Sequence, residues 1–148
     1  MIIPKKDLDT LLFRALRAVY QFERTKVSRF GLTYEEIYLL QFLRRASPAR
    51  MSHIALEMKK PVSTATRLMD RLEKRRLVSR EKGSDDRRSM LVSLAPEGES
   101  VVRAVEDHTF EAISANLDRF DDEKITAFVE TARHLEKILS VSEEDPDR

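Results

Sequence analysis

Residues 61–94 read PVSTATRLMDRLEKRRLVSREKGSDDRRSMLVSL, and the spacing of their apolar positions changes part-way along. The first half repeats apolar residues at helical spacing from Ala65 to Leu72. The second half contains two alternating or β-branched runs, 77–82 and 90–94, around a polar turn. The stretch therefore predicts a helix followed by a β-hairpin with a basic tip.

The segment just before this stretch predicts a shorter helix. Ser52 can cap a helix that begins at Met51 or His53 and ends at Met58. Residues 59–61 break it, because proline disfavours helical geometry in the residue before it and suits the first turn of the next helix. Two short helices with a tight turn, the second presenting hydroxyls and arginines outward, form a helix-turn-helix pattern.

Upstream, two further helices are predicted. Amphipathic spacing runs from residue 6 to residue 30, and Gly31 can take the left-handed position that ends a helix. Residues 33–36 form a capping box for a second helix that extends to about Ala46. This helix is apolar on nearly every side, so we expect it at the centre of the core.

Downstream, Pro96 and residues 121–123 open two more amphipathic helices. They and the first helix are too long to be buried by a lobe of about 70 residues, so we expect their apolar stripes to pack against a second copy. The expected organisation is a dimerisation helix at 1–32, a winged helix-turn-helix lobe at 33–95, dimerisation helices at 96–141 and a frayed acidic tail at 142–148.

Charge is distributed unevenly along the 148 residues. The net charge is only +1, but residues 44–88 hold 14 Lys and Arg against 6 acids, or +8, and the remainder holds 13 against 20, or −7. Because phosphate binding depends on local charge, the basic segment suits a nucleic-acid footprint. The alternative is a solvated helix face whose charges pair within the helix, such as Asp70 with Lys74.

Several classes of function are disfavoured by composition. No cysteine is present, which excludes disulfides, thiolate metal sites and thiol chemistry. No apolar run approaches the roughly 18 residues of a membrane span and no signal-peptide core is visible, so we expect a cytoplasmic protein. His53, His108 and His134 are isolated in sequence, and no phosphate loop or nucleophile elbow is found. We therefore expect no metal, no cofactor and no enzymatic activity.

The order of these elements resembles the multiple antibiotic resistance regulator (MarR) family of winged-helix transcription factors. The specific part is STATRLMDRLEK at 63–74, then Leu77-Val78, then Asp86-Arg87-Arg88, then Leu94 and Gly98. The resemblance implies a mainly α fold with a small β-hairpin wing and terminal dimerisation helices. It also implies a sequence-specific DNA-binding regulator, a repressor, that binds a pseudo-palindromic operator as a homodimer.

The resemblance also assigns roles to residues. Those near bases in the major groove would be Ser63, Thr64, Thr66, Arg67 and Arg71. The wing residues, with Arg88 entering the minor groove, would be Asp86, Arg87 and Arg88. Phosphate contacts would be Lys59, Lys60, Lys74, Arg75 and Lys82. Arginine can bind guanine bidentately and a threonine methyl can meet thymine, which suits these assignments.

Three positions depart from the family pattern. Pro61 stands where a capping Ser or Thr is usual, which favours a helix start displaced by one residue. Arg76 replaces a Gly, which argues against a left-handed turn there, and Ala95 replaces a Thr. None of these departures removes a proposed DNA contact.

Two questions of function stay open on the sequence. A small aromatic effector could bind a crevice near the first two helices, although the same residues suit a plain core and dimer seam. The candidate lining residues are Arg17, Tyr20, Phe30, Tyr34, Tyr38 and Met58. The alternative function is a winged helix that binds protein; the +8 segment argues against it, because such a surface would show exposed aromatic residues.

Overall fold

The computed structural model describes residues 3–84 and 89–141, which form helices and a small antiparallel sheet. The elements in chain order are α1 (Lys5–Phe30), α2 (Tyr34–Ala46), β1 (Ala49–Arg50), α3 (Met51–Glu57), α4 (Val62–Lys74), β2 (Val78–Lys82), β3 (Met90–Leu94), α5 (Pro96–Leu117) and α6 (Asp122–Leu139). Two compact units are present, residues 1–107 and 108–148. The mainly helical winged fold is confirmed. Over the described ranges, no helix has the length and apolar character to cross a membrane.

The ends of α1 and α2 follow local signals in the sequence. Gly31 has a φ of 62° and its N–H donates to the Val27 carbonyl, which closes α1. The Thr33 hydroxyl accepts from the Glu36 N–H, and the Glu36 carboxylate accepts from the Thr33 N–H, so the predicted capping box is confirmed. Four aliphatic side chains of α2 are almost fully buried in the core: Ile37, Leu39, Leu40 and Leu43.

Helix α3 begins at one of the two predicted positions, but its cap differs from the sequence prediction. The helix begins at Met51 with Arg50 as its N-cap and no side-chain cap, so Ser52 lies inside the first turn and the predicted Ser52 cap is wrong. The physical reason is a contact between segments that are distant in sequence. Residues 49–50 pair with β3, Ala49 opposite Val92, which fixes the chain in an extended conformation up to the first helical residue.

The sheet has three strands in the order β1-β3-β2, one more than the predicted hairpin. Strand β2 pairs antiparallel with β3, from Val78 opposite Leu94 to Lys82 opposite Met90. Val78 is buried on the core side, which anchors the base of the wing. The wing-tip residues Asp86, Arg87 and Arg88 lie outside the described residues.

The turn between α4 and β2 is left-handed, against the sequence expectation. Arg76 has a φ of 59°, its N–H donates to the Glu73 carbonyl and the Leu77 N–H donates to the Leu72 carbonyl. This conformation costs a non-glycine residue about 1–2 kcal/mol. The turn carries Leu77 into the core, where it is buried, and this burial explains why an arginine is accommodated at the position.

Gly98 lies where the first turn of α5 passes over Leu77. A Cβ added at Gly98 would lie 2.0 Å from the Leu77 carbonyl oxygen and 2.9 Å from its carbon. We expect Gly98→Ala to lower the free energy of unfolding by about 3 kcal/mol, because backbone atoms must move apart. Chemical denaturation at equilibrium measures the loss.

Gly31→Ala is the matched control for this substitution. A Cβ at Gly31 meets no atom within 4 Å, but the φ of 62° disfavours alanine. Its cost is therefore the conformational one alone, about 1 kcal/mol. Equal losses for the two variants would contradict the close approach at Gly98.

In the unit of residues 108–148, helix α6 begins at a side-chain cap. Asp121 accepts from the Lys124 N–H at 2.9 Å, and the hydrogen bonds from the Lys124 side chain and backbone lower the pKa of Asp121. No residue of α6 is buried. In the part of the chain that the structure describes, Phe128, Leu135 and Ile138 of this helix remain exposed.

Candidate nucleic-acid interface

Core packing fixes which side of α4 faces outward. The helix follows a tight turn in which Lys59 has a φ of 49° and the Lys60 N–H donates to the Ala55 carbonyl. Pro61 stands at the N-cap position without a side-chain cap, and the helix begins at Val62. The inward side chains are almost fully buried: Ala65, Leu68, Met69 and Leu72. The opposite side of α4 is therefore held at a fixed orientation toward solvent.

A buried carboxylate holds one edge of α4. Glu36 is 5% exposed, and its Oε1 lies 3.4 Å from the Arg71 Nε while its Oε2 lies 3.9 Å from the Arg75 Nη1. Arg75 also donates to the Gly31 carbonyl at 2.9 Å. The cations Arg71 and Arg75 are thus tied to the start of α2, and the α1–α2 turn is connected to the helix-turn-helix.

A cation of the wing holds the other edge of α4. Arg80 of β2 lies 2.8 Å from Asp70 and donates from its Nε to Glu73 at 3.0 Å. The hydrogen bonds to Glu73, and then those to Asp70, raise the pKa of Arg80. This ion-pair cluster fixes the wing strand relative to α4. It also covers two carboxylates that would otherwise face any anionic ligand of the helix.

Between the two edges lies a central stripe of exposed side chains, Ser63, Arg67 and Lys74. In the part of the chain that the structure describes, neither Arg67 nor Lys74 has an ion-pair partner; Asp70 pairs with Arg80 and not with Lys74. The alternative of charges paired within the helix thus does not account for these two cations. They remain free to bind an external anion.

The other predicted contact residues differ in their surroundings. Thr64 is exposed, and the Thr66 hydroxyl donates to the Val62 carbonyl at 2.8 Å. Lys60 pairs with Glu35 at 2.8 Å. Lys59 in the turn and Lys82 at the end of β2 are exposed, and across residues 3–84 and 89–141 no ion pair engages either of them. These two lysines flank the central stripe in sequence.

In the part of the chain that the structure describes, five of the six predicted crevice residues border three separate grooves. Arg17 and Tyr20 border a groove along α1, and Tyr20 and Tyr34 border a second one of about 350 Å³. Tyr34, Tyr38 and Met58 line a third. The Tyr38 hydroxyl donates to Glu57 at 2.5 Å, which raises the pKa of Tyr38. Phe30 instead packs against the core.

The described residues bring no three His, Asp or Glu side chains together in a geometry that could hold a metal ion. His53 instead contacts Phe42 edge-on, with ring centroids 5.6 Å apart.

Sequence reasoning missed the roles of Glu36 and Arg80. Glu36 was predicted only as part of a capping box, and the alternation of β2 did not indicate a contact between Arg80 and α4.

Comparison with known proteins finds similarity to a known family. Residues 30–89 match the family model described as MarR family. Over this region the chain is similar to MarR-family proteins. A relative from Bacillus subtilis (strain 168), described as an uncharacterized HTH-type transcriptional regulator, YsmB, is 28% identical over 130 residues, which cover 88% of this chain and 89% of that protein.

Solved structures share the fold of this chain. A MarR family protein from Bacillus stearothermophilus has a TM-score of 0.83 at 23% identity and covers 93% of this chain and 99% of its own. A mutant of MepR from S. aureus, bound to an oligodeoxyribonucleotide, has a TM-score of 0.65 at 19% identity and covers 88% and 97%. The chain thus shares the winged helix-turn-helix fold of these proteins.

Proposed function

We propose that the protein is a MarR-family transcriptional repressor that binds a pseudo-palindromic DNA operator as a homodimer, with α4 in the major groove. The observation that carries the proposal is the central stripe of α4, where Arg67 and Lys74 are exposed and unpaired among the described residues between two edges closed by ion pairs. A helix that presents free cations at a fixed orientation suits base and phosphate contacts. The DNA-bound MepR structure supports the same assignment by analogy of fold.

The exposed apolar face of α1 supports a dimer. Leu8, Leu12, Leu16 and Val19 follow helical spacing, and each is 41–66% exposed in the single chain. A contiguous apolar stripe of this length is unusual on a monomer and is typical of a subunit interface. The exposed stripe of α6 is a second surface of the same kind. We propose that both pack against a second copy.

We further propose that a small aromatic ligand releases the operator. The groove of about 350 Å³ on α1, bordered by Val19, Tyr20 and Tyr34, has the size and the apolar lining typical of small-molecule sites. Screening aromatic acids by thermal shift tests the proposal. A hit that raises the melting temperature and lowers operator affinity supports it, and a screen without any stabilising acid contradicts it.

The proposed DNA binding is tested by selecting duplexes from a randomised library with the full chain and then titrating them over a range of salt concentrations. Four of the predicted contact cations have no ion-pair partner among the described residues: Lys59, Arg67, Lys74 and Lys82. They give eight in a dimer, and we expect a slope of log K against log salt of about −7 or steeper. A protein-binding winged helix would select no duplex. Failure to enrich any sequence at low salt would contradict the proposal.

Arg80 is expected to act through the carboxylates that it covers. Arg80→Ala uncovers Asp70 and Glu73 beside the DNA phosphates, and we expect operator affinity to fall about tenfold through like-charge repulsion. Fluorescence anisotropy titration measures the loss. Adding Asp70→Asn and Glu73→Gln to the Arg80→Ala variant removes the repulsion, so most of the affinity should return.

The triple variant separates this role from a direct phosphate contact. If Arg80 itself bound phosphate, neutralising the two acids would not replace the missing contact. An Arg80→Ala variant that stays weak after both acids are neutralised would therefore contradict the covering role. The double variant Asp70→Asn/Glu73→Gln with Arg80 intact is the control for changes in α4 alone.

A further inference from the structure

The edge of α4 nearest the wing carries an apolar residue that the proposed base and phosphate contacts do not use. Val62, the first residue of α4, is 52% exposed. Single exposed apolar residues are common on protein surfaces, so exposure alone carries no conclusion. The residues that surround Val62 on α4 indicate a specific role for it.

Val62 and Thr66 lie one helical turn apart on the same side of α4. The Thr66 hydroxyl donates to the Val62 carbonyl at 2.8 Å. Because a hydroxyl has one proton, Thr66 cannot donate to a base while this hydrogen bond holds. What the two residues offer a ligand is therefore chiefly their methyl groups, and we name the pair the 62/66 strip.

Polar groups define the limits of the 62/66 strip. Ser63 and Arg67 lie beside it on the central stripe, and one turn beyond Thr66 lies Asp70, which Arg80 engages at 2.8 Å. Both residues of the strip are β-branched and therefore stiff at χ1, so a contact would immobilise little side-chain freedom. The strip is a small, preorganised apolar surface within a polar helix face.

We infer that the 62/66 strip contacts the C5 methyl group of one thymine in each operator half-site. This inference rests on the proposed function, which lays α4 in the major groove. Among the groups that the four bases display there, the thymine methyl is the apolar one. Contact with it makes Val62 and Thr66 determinants of thymine over cytosine at that position.

Replacing thymine by deoxyuridine removes only the methyl group and tests the inference directly. The probe is the duplex that the full chain selects from a random library, with each thymine replaced in turn in both half-sites. We expect one thymine per half-site whose replacement weakens wild-type binding about fourfold for each methyl group removed. In Val62→Ala, the same replacement should weaken binding less than about twofold, because the apolar partner is gone.

A matched pair of substitutions at Thr66 distinguishes the contribution of its methyl group from that of its hydroxyl. Thr66→Val keeps methyl groups and removes the hydroxyl, so it should retain the deoxyuridine penalty. Thr66→Ser keeps the hydroxyl and removes the methyl, so it should reduce that penalty. Thermal melting of each variant checks that the fold is unchanged.

Two outcomes would overturn the inference while the proposed function stands. One is a selected operator in which no thymine responds to deoxyuridine. The other is a penalty that stays at its wild-type value in both Val62→Ala and Thr66→Ser. If the chain selects no duplex at all, the proposed function fails, and the inference fails with it.

Discussion

Replacing Arg67 with alanine is expected to weaken operator binding by about 2–6 kcal/mol, or at least about 30-fold, because an interaction worth about 1–3 kcal/mol is removed from both half-sites of a dimer. Arg67 is exposed on the outward side of α4, and across the described ranges it has no ion-pair partner whose loss would disturb the fold. Anisotropy titration on the selected operator and on a scrambled duplex measures the change in affinity. Binding to the scrambled duplex should change much less, because a base contact carries sequence information and a phosphate contact does not.

Lys74→Ala is the matched control on the same helix face. Lys74 is also exposed and unpaired among the described residues, but a lysine near the end of α4 is suited to phosphate. Its removal should weaken binding to both duplexes about equally and reduce the salt slope by about 1 for each phosphate that it neutralises. Equal losses on both duplexes for Arg67→Ala would contradict a base contact by Arg67.

Introducing charges on the apolar face of α1 is expected to have the second large effect, on dimerisation and on operator affinity. Leu12→Glu combined with Leu16→Glu adds two carboxylates to a stripe that is exposed in the single chain, so each chain should fold as before. The dimer should dissociate, because its interface would bury unpaired charges. Operator affinity should then fall about 100-fold or more, since the two half-sites would no longer be bound together.

Sedimentation equilibrium measures the oligomeric state, and a matched variant controls for charge. Thr10→Glu with Gln21→Glu adds two carboxylates on the opposite side of α1, where both residues are exposed and polar. This control should remain dimeric. A Leu12→Glu/Leu16→Glu variant that stays dimeric would contradict the assigned interface.

The parts of the fold that could be predicted from sequence depend on neighbours along the chain. Gly31 ends α1, Thr33 and Glu36 cap α2, and Asp121 caps α6, all as their spacing indicates. Each of these signals acts within four residues, so a single sequence contains everything needed to recognise it.

The parts that could not be predicted depend on contacts between distant segments. Strand β1 has two residues, and its pairing with β3 places Ala49 beside Val92. That pairing, and not Ser52, decides where α3 begins. Likewise Arg76 adopts a conformation that its residue type disfavours, because the turn carries Leu77 into the core.

In the candidate site, too, some features follow from local sequence and others depend on contacts between distant segments. Periodicity and charge identify the outward face of α4, but they cannot distinguish Arg67 from Arg71. Arg71 lies beside Glu36, which is 35 residues away in sequence and becomes its neighbour only when α2 packs against the helix-turn-helix. Which cations remain free for a ligand is therefore a property of the tertiary structure.

Hydroxyl-radical footprinting of the full chain on its selected duplex tests the central claim most directly. A dimer that lays one α4 in each of two major grooves should protect two symmetric patches about 34 Å, or one helical turn, apart. A single patch, an unsymmetrical pair, or no protection at low salt would contradict the account.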